Sequence, residues 1–262
     1  MLAIGLLVAA GALMWVGQSA ILLLTAQPVR LRLSSEGMSK GIRQASRVVT
    51  NLSIAGVVVA YPLARGQDVL AYYARLLPLD HRASACLKGF SIAVFYLALM
   101  YLAWLATDNV RFRVRHGAGR LARRLAAVPL SAAFGALAEE LLFRGVLLAD
   151  LLESLEPVPA VMIATVLFAA AHYVRRVKRY WTLAGHLAMS GLLCATFVWT
   201  RTLWLPIGLH AGGIFLTLGT RPFVRYIGPG WLVGASIFPY AGAVGILALA
   251  LLTIAMGMSY GG

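Results

Sequence analysis

Two adjacent carboxylates, one arginine and two histidines lie inside apolar stretches of this 262-residue chain. Glu139 and Glu140 precede Arg144 in one stretch, and His172 and His210 lie in two later ones. An ionisable group at the centre of a membrane helix costs about 2.5 to 3.5 kcal/mol or more, so five of them indicate a function. A carboxylate beside imidazoles and partly shielded from water can act as a general base.

Helical spacing predicts different roles for the two glutamates. Glu140 and Arg144 are i,i+4 neighbours with the acid on the N-terminal side, which is the favourable orientation for an ion pair. Glu139 projects about 100° around the helix from Glu140 and has no basic residue at i+3 or i+4. We therefore expect Glu140 to neutralise Arg144 and Glu139 to be the residue available for chemistry.

A purely structural interpretation is that these side chains form a buried polar network that joins helices. We favour it for Glu140 and Arg144, and we favour catalysis for Glu139, His172 and His210 together. His186 and Tyr173 are predicted to lie at the membrane interface without a catalytic role.

The composition places these groups in a bilayer. Hydrophobic residues make up 61% of the chain and charged residues 12%, too few polar groups to cover a soluble protein of this size. We predict an all-α polytopic membrane protein with about eight transmembrane helices in a single domain, residues 1–262. The predicted spans are Leu2 to Leu24, Val48 to Leu63, Phe90 to Ala106, Pro129 to Leu148, Val158 to Tyr173, Thr182 to Trp199, Leu203 to Leu218 and Trp231 to Met256.

The first span could also be a signal peptide, because Gln18-Ser19-Ala20 is similar to a cleavage site. No Lys or Arg precedes it, so a retained helix is favoured. His172 lies very near the predicted end of the fifth span at Tyr173. We therefore expect that helix to continue toward Tyr180, so that His172 can reach the depth of the other ionisable groups.

The net charge of +14 is asymmetrically distributed and predicts topology rather than nucleic-acid binding. Alternating spans place 17 of the 23 Lys and Arg residues on one side, which the positive-inside rule makes cytoplasmic. Both termini are then extracytoplasmic, and the expected partners are membrane lipids. Two basic segments, Arg30 to Arg47 and Arg111 to Arg124, are interpreted either as amphipathic surface helices or as topology-setting loops.

Three short motifs in order resemble the CAAX protease and bacteriocin-processing (CPBP or Abi) family, which includes the Ras-converting CAAX endopeptidases. The resemblance covers about residues 129–215. Its first motif is Glu139-Glu140-Leu141-Leu142-Phe143-Arg144, its second runs from Phe168 to His172, and its third is His210.

The resemblance implies an intramembrane endopeptidase acting on a membrane-tethered protein or peptide, with access from the cytoplasmic side of a bacterial inner membrane. Glu139 and His172 would activate water and His210 would stabilise the oxyanion, while Glu140, Arg144 and Phe168 support them. A zinc enzyme is the alternative, with Glu139, His172 and His210 as ligands. We favour the metal-free mechanism, without a cofactor, because no His-Glu-x-x-His helix is present.

One position departs from the family pattern. The family usually has an asparagine four residues after the third-motif histidine, and this chain has Ile214. Thr217, or backbone N–H groups near Gly212 and Gly213, are the candidate replacements. Loss of an oxyanion donor reduces the rate of a hydrolase by about 10² to 10³. The main alternative function is therefore a catalytically weak scaffold or bacteriocin-immunity protein, and a proton-coupled transporter is a further one. The substrate's identity and its prenylation are left open.

Overall fold

The computed structural model describes residues 2–30, 33, 37–114, 116–174, 182–235 and 238–261. In this part of the chain almost all secondary structure is helical, and two three-residue strands pair antiparallel. The helices are α1 (Leu2–Leu24), α2 (Lys40–Ala64), α3 (Val69–Leu76), α4 (Ser84–Ala106), α5 (Ala118–Glu140), α6 (Ala149–Leu151), α7 (Pro157–Val174), α8 (Leu183–Thr200), α9 (Trp204–Thr220), α10 (Gly230–Val233) and α11 (Ala243–Tyr260). The strands are β1 (Val110–Phe112) and β2 (Val224–Tyr226).

Six helices in the described residues are long and apolar enough to cross a membrane. One of them runs without a break over Ala118–Leu151, because a π-helical segment, Leu141–Leu148, joins α5 to α6. The apolar helix α7 is shorter, and α9 has only 17 residues, most of them buried. The protein is therefore an all-α integral membrane protein as predicted, whereas the predicted number of eight spans is not confirmed.

The last predicted span begins too early. Residues from Trp231 were assigned to it, but the helix begins at Ala243. Gly234 adopts φ +73° and a Cβ there would lie 2.5 Å from the carbonyl oxygen of Phe238, so the chain turns sharply. Pro239 then begins a 3-10 turn, Pro239–Ala241. An apolar composition made this irregular segment look like a helix.

The two basic segments are also more structured than either interpretation allowed. Helix α2 begins at Lys40, so the second half of the first segment is the start of a membrane helix rather than a surface helix or loop. In the second, Arg111 and Phe112 belong to β1, which pairs with β2, and the stretch from Ala118 onward begins α5. Both predictions failed because helix starts and three-residue strands depend on contacts distant in sequence.

Small residues allow α4 and α9 to pack closely. Gly208 and Gly212 are four residues apart on α9 and face α4, a spacing that lets helix backbones approach. A Cβ on Gly212 would lie 2.5 Å from the carbonyl oxygen of Phe90, and one on Gly208 would collide with the carbonyl of Cys86. At about 100° per residue, His210 between them lies on the opposite face of α9. The glycines thereby orient His210 away from α4 and toward α5, against which α9 also packs.

The π-helical segment directly follows the two glutamates. Wider turns of this kind are rare and often occur at functional sites. The hydroxyl of Tyr72 donates to the carbonyl oxygen of Gly145 at 2.5 Å, so α3 holds the segment from outside. The segment is buried almost throughout, and Arg144 within it is 0% exposed. Because Arg144 is buried among apolar side chains, the fold depends on the polar groups that compensate its charge.

Candidate active site

Glu140 lies at the centre of a fully buried ion-pair network. Arg144 Nη1 donates to Glu140 Oε1 at 3.2 Å, and both side chains are 0% exposed. Arg144 Nη2 also donates to the hydroxyl of Ser190 on α8 at 2.9 Å and to its carbonyl oxygen at 3.2 Å. The predicted i,i+4 pairing is present, and Arg144 extends it to a second helix, α8.

His210 contacts the same carboxylate. Its Nδ1 lies 2.7 Å from Glu140 Oε1, and its side chain is 6% exposed. Since an ionised carboxylate can only accept, Nδ1 carries the proton and donates it in this bond. The ring is then held with Nε2 directed at Glu139. Spacing along one helix could not predict this contact, because 70 residues separate its two members.

Glu139 faces both histidines, as its position on the helix predicted. Its Oε2 lies 3.9 Å from His172 Nε2 and 3.8 Å from His210 Nε2, and about a third of the side chain, 34%, is exposed. These distances are too long for direct hydrogen bonds, and both are short enough for a single water molecule to contact the two groups of each pair. Glu139 Oε2 has no hydrogen-bond partner among the described residues. The three side chains proposed for catalysis therefore meet at one carboxylate oxygen.

The tautomer of His172 follows from its backbone contact. Nδ1 lies 2.9 Å from the carbonyl oxygen of Phe168, one turn earlier on α7, so Nδ1 donates and Nε2 is left as an acceptor toward Glu139. The Phe168 ring is 0% exposed and packs 4.6 Å from the His172 ring. On another side, the Arg144 guanidinium lies 4.6 Å from the same ring, a cation–π contact. Phe168 thus joins the ion pair to His172.

The structure describes only the first residue of the predicted continuation of α7 past Tyr173. The described helix ends at Val174, and residues 175–181 lie outside the described part of the chain. His172 reaches Glu139 all the same.

These groups open into a cavity of about 210 Å³ with mainly apolar walls. Glu139, His172 and His210 lie on one side of it, and Ile214 also lines it. Gly213 and Thr217 line the cavity too, whereas Gly212 is in contact with Phe90. The lining further includes aliphatic and aromatic residues from α4, α8, α9 and α11: Ala93, Tyr96, Leu97, Met189, Leu192, Leu193, Leu209, Leu218, Leu249 and Leu252.

The set Glu139, His172 and His210 contains the oxygen and nitrogen donors that zinc prefers. Among the residues that the structure describes, however, no group of three or more His, Cys, Asp or Glu has the arrangement needed to hold a metal ion. No step of the mechanism below passes through a metal.

The order of the motifs agrees with a known family model. Residues 121–216 match the family model described as type II CAAX prenyl endopeptidase, Rce1-like. Over these residues the chain is similar to the CAAX protease family. The match agrees closely with the predicted motif-bearing core, residues 129–215, and it contains every proposed catalytic and supporting residue. No curated protein and no solved structure matched the chain.

Beside these motifs, His186 and Tyr173 have more contacts within the protein than the sequence predicted. His186 was expected at the membrane interface, but it is 1% exposed and its ring lies 4.8 Å from that of His172. Its Nδ1 donates to the carbonyl oxygen of Thr182 at 2.9 Å. Tyr173, expected to be a plain interface residue, hydrogen-bonds the Thr182 hydroxyl at 2.6 Å and lies 3.5 Å from His186 Nδ1. Both residues support the wall of the site.

Sequence reasoning also missed Phe238 and Tyr240, which follow the family-matched segment. Both line the cavity, and both rings pack against His186 at 4.9 Å and 5.7 Å. The signal that could have revealed them is the run of Gly and Pro around them, which is incompatible with a straight helix and typical of a chain that bends at a cavity.

Proposed function

We propose that the protein is an intramembrane endopeptidase that hydrolyses a peptide bond in a membrane-tethered protein or peptide. The observation that carries the proposal is the convergence of His172 and His210 on one oxygen of Glu139 at the wall of an apolar cavity. The Rce1-like match over residues 121–216 supports a CAAX protease.

In the proposed reaction Glu139 and His172 bind the attacking water and Glu139 takes its proton. The water oxygen bonds to the scissile carbonyl carbon, and the carbonyl oxygen becomes an oxyanion. The tetrahedral intermediate then collapses, the C–N bond breaks, and the proton held by Glu139 passes to the leaving amine. General-base catalysis of this kind contributes about 10²- to 10⁴-fold.

His210 is placed to stabilise the oxyanion. Glu140 at Nδ1 favours a positively charged ring, so that Nε2–H can donate toward the cavity. Arg144 pairs with Glu140 in the buried network. Glu140, Arg144 and Phe168 are positioning residues in this proposal.

The substrate is proposed to reach the cavity from the cytoplasmic side of a bacterial inner membrane. The aliphatic walls suit an extended peptide segment with apolar side chains, which would lose water on binding. Glu139 lies 12 residues before the end of the Ala118–Leu151 helix, about 18 Å at 1.5 Å per residue. A substrate anchored in the same membrane would hold its scissile bond near the depth of Glu139.

Cleavage of a panel of membrane-tethered peptides by purified protein tests the proposal. We expect Glu139→Gln to lower kcat by about 10² to 10⁴. Glu156→Gln, which makes the same change at an exposed position between α6 and α7, should leave the rate unchanged. Each protein is assayed with and without a chelator, and loss of wild-type activity in the chelator would replace the glutamate mechanism with a zinc mechanism. Equal rates for wild type and Glu139→Gln would contradict the proposed function.

A catalytically weak scaffold or bacteriocin-immunity protein is the second candidate. Ile214 favours it, because an aliphatic side chain occupies a cavity position at which the family resemblance implies an amide. A cellular function that persists undiminished in Glu139→Gln would support this candidate.

A further inference from the structure

The cavity needs a hydrogen-bond donor that Ile214 cannot supply. Backbone N–H groups within α9 are used in the helix itself, and Gly212 faces α4 rather than the cavity. The replacements considered from the sequence therefore reduce to Thr217. The cavity lining contains three hydroxyl groups: those of Tyr96, Thr217 and Tyr240.

Two of these hydroxyls are poorly suited. Tyr96 already donates to the carbonyl oxygen of Gly245 at 2.9 Å. Thr217 lies seven residues after His210, about 10 Å along the helix axis. Its short side chain cannot close that gap, whereas an oxyanion donor must come within about 2.7 to 3.1 Å of the developing charge.

Tyr240 lines the cavity from a backbone that is closely packed. It lies in the 3-10 turn before α11, where Gly185 and Gly245 allow close approach: a Cβ on Gly185 would lie 2.6 Å from Ala241 Cα, and one on Gly245 would lie 2.6 Å from Tyr240 Cα. Its ring packs edge-on against His186 at 5.7 Å, and His186 in turn packs against His172. The turn is therefore held between two helices next to the catalytic group.

The Tyr240 hydroxyl is also available. It makes no hydrogen bond to any residue that the structure describes. Burial, and then the negative charge of Glu139, raises the pKa of the Tyr240 phenol. The phenol therefore keeps its proton at neutral pH and can donate it in a hydrogen bond to a negatively charged oxygen. Glu139 and Tyr240 both line the same cavity.

We infer that Tyr240 donates a hydrogen bond to the oxyanion, in the place of the amide that Ile214 lacks. The inference rests on the proposed endopeptidase function. His210 and Tyr240 would then contact the oxyanion from α9 and from the turn before α11. Only a hydrogen bond forms and breaks, and the phenol keeps its proton throughout.

The test compares Tyr240→Phe with wild type in the peptide-cleavage assay. We expect kcat to fall by about 10² to 10³ while KM changes by less than about threefold, because the bond forms only as charge develops. The thermal midpoint should not change, since the lost hydroxyl has no hydrogen-bond partner among the described residues. Tyr260→Phe, which removes the same group at the far end of α11 outside the cavity, should keep wild-type kcat.

A second substitution distinguishes loss of the hydrogen-bond donor from a structural effect of Tyr240→Phe. Ile214→Asn in the Tyr240→Phe background should restore kcat by about tenfold or more by supplying another donor. The inference is overturned if Tyr240→Phe keeps wild-type kcat, if Ile214→Asn gives no restoration, or if Thr217→Val loses the rate instead. Wild type no faster than Glu139→Gln would overturn the endopeptidase proposal and this inference together, whereas a Tyr240 failure alone leaves the endopeptidase proposal standing.

Discussion

Two neighbouring glutamates have opposite physical environments. Glu140 is fully buried and contacts Arg144 and His210, so its charge is compensated where it lies. Glu139 is about a third exposed, at 34%, and its Oε2 has no hydrogen-bond partner in the described part of the chain. A compensated charge stabilises a fold, and an uncompensated charge at a cavity is available to a substrate. The helix turn of about 100° between adjacent residues creates this difference.

Replacing Arg144 by Met should destabilise the protein by about 3 to 5 kcal/mol, because Glu140 would remain buried without its cation. The measurement is denaturant unfolding of the purified protein in detergent. The double variant Arg144→Met and Glu140→Gln should recover much of this loss, since removal of both charges leaves no buried ion. If Arg144→Met were as stable as wild type, the proposed dependence of buried Glu140 on the Arg144 cation would be wrong.

At the scale of helices, the α4–α9 contact depends on glycines whose neighbours differ. Gly212 faces the backbone of Phe90, whereas Gly213, the next residue, has no atom within 4 Å of an added Cβ. Adjacent glycines on one helix thus provide a matched pair for testing the packing.

Gly212→Ala should lower stability by about 1 to 3 kcal/mol, because the methyl group would force the helices apart. Gly213→Ala should be neutral or stabilising by up to about 1 kcal/mol, since alanine favours a helix over glycine. Thermal unfolding in detergent distinguishes the two. Equal effects of the two substitutions would contradict the close approach of α4 and α9.

Most helices were predictable from apolar length, and the failures have physical causes. The start of α11 was misplaced because hydropathy does not distinguish a helix from an apolar turn, although Gly234 and Pro239 carried the signal. The ribbon of β1 and β2 was missed because three-residue strands pair over a long sequence separation. Within the site, spacing predicted the Glu140 and Arg144 pair, but only the fold brings His186 and Tyr240 to His172 and the cavity.

At the scale of the molecule, polar contacts divide between two ends of the helices. Arg65 pairs with Asp150 at 3.4 Å and with Glu153 at 2.6 Å, joining the ends of α2 and α6. At the other end the ribbon joins the segments after α4 and α9. In the predicted orientation the acidic loop after α6 is extracytoplasmic and the ribbon is cytoplasmic.

Thiol labelling of intact cells tests this orientation. In a background with Cys86→Ala and Cys194→Ala, a cysteine replacing Glu156 should react with a membrane-impermeant maleimide from outside. A cysteine replacing Asp108, whose side chain is 83% exposed next to the ribbon, should react only after the membrane is opened. The reverse pattern would show that both termini are cytoplasmic.

The ribbon has a mechanical consequence for how the cavity can widen. It ties together the ends of α4 and α9, which are already pressed together along their glycines, so separating these two helices would break backbone hydrogen bonds and close packing at once. The Pro239–Ala241 turn is held separately, because Gly185 and Gly245 pack against its backbone and Tyr96 donates to the carbonyl oxygen of Gly245. The α4–α9 frame is therefore the side of the cavity that would cost most to move when a peptide approaches Glu139.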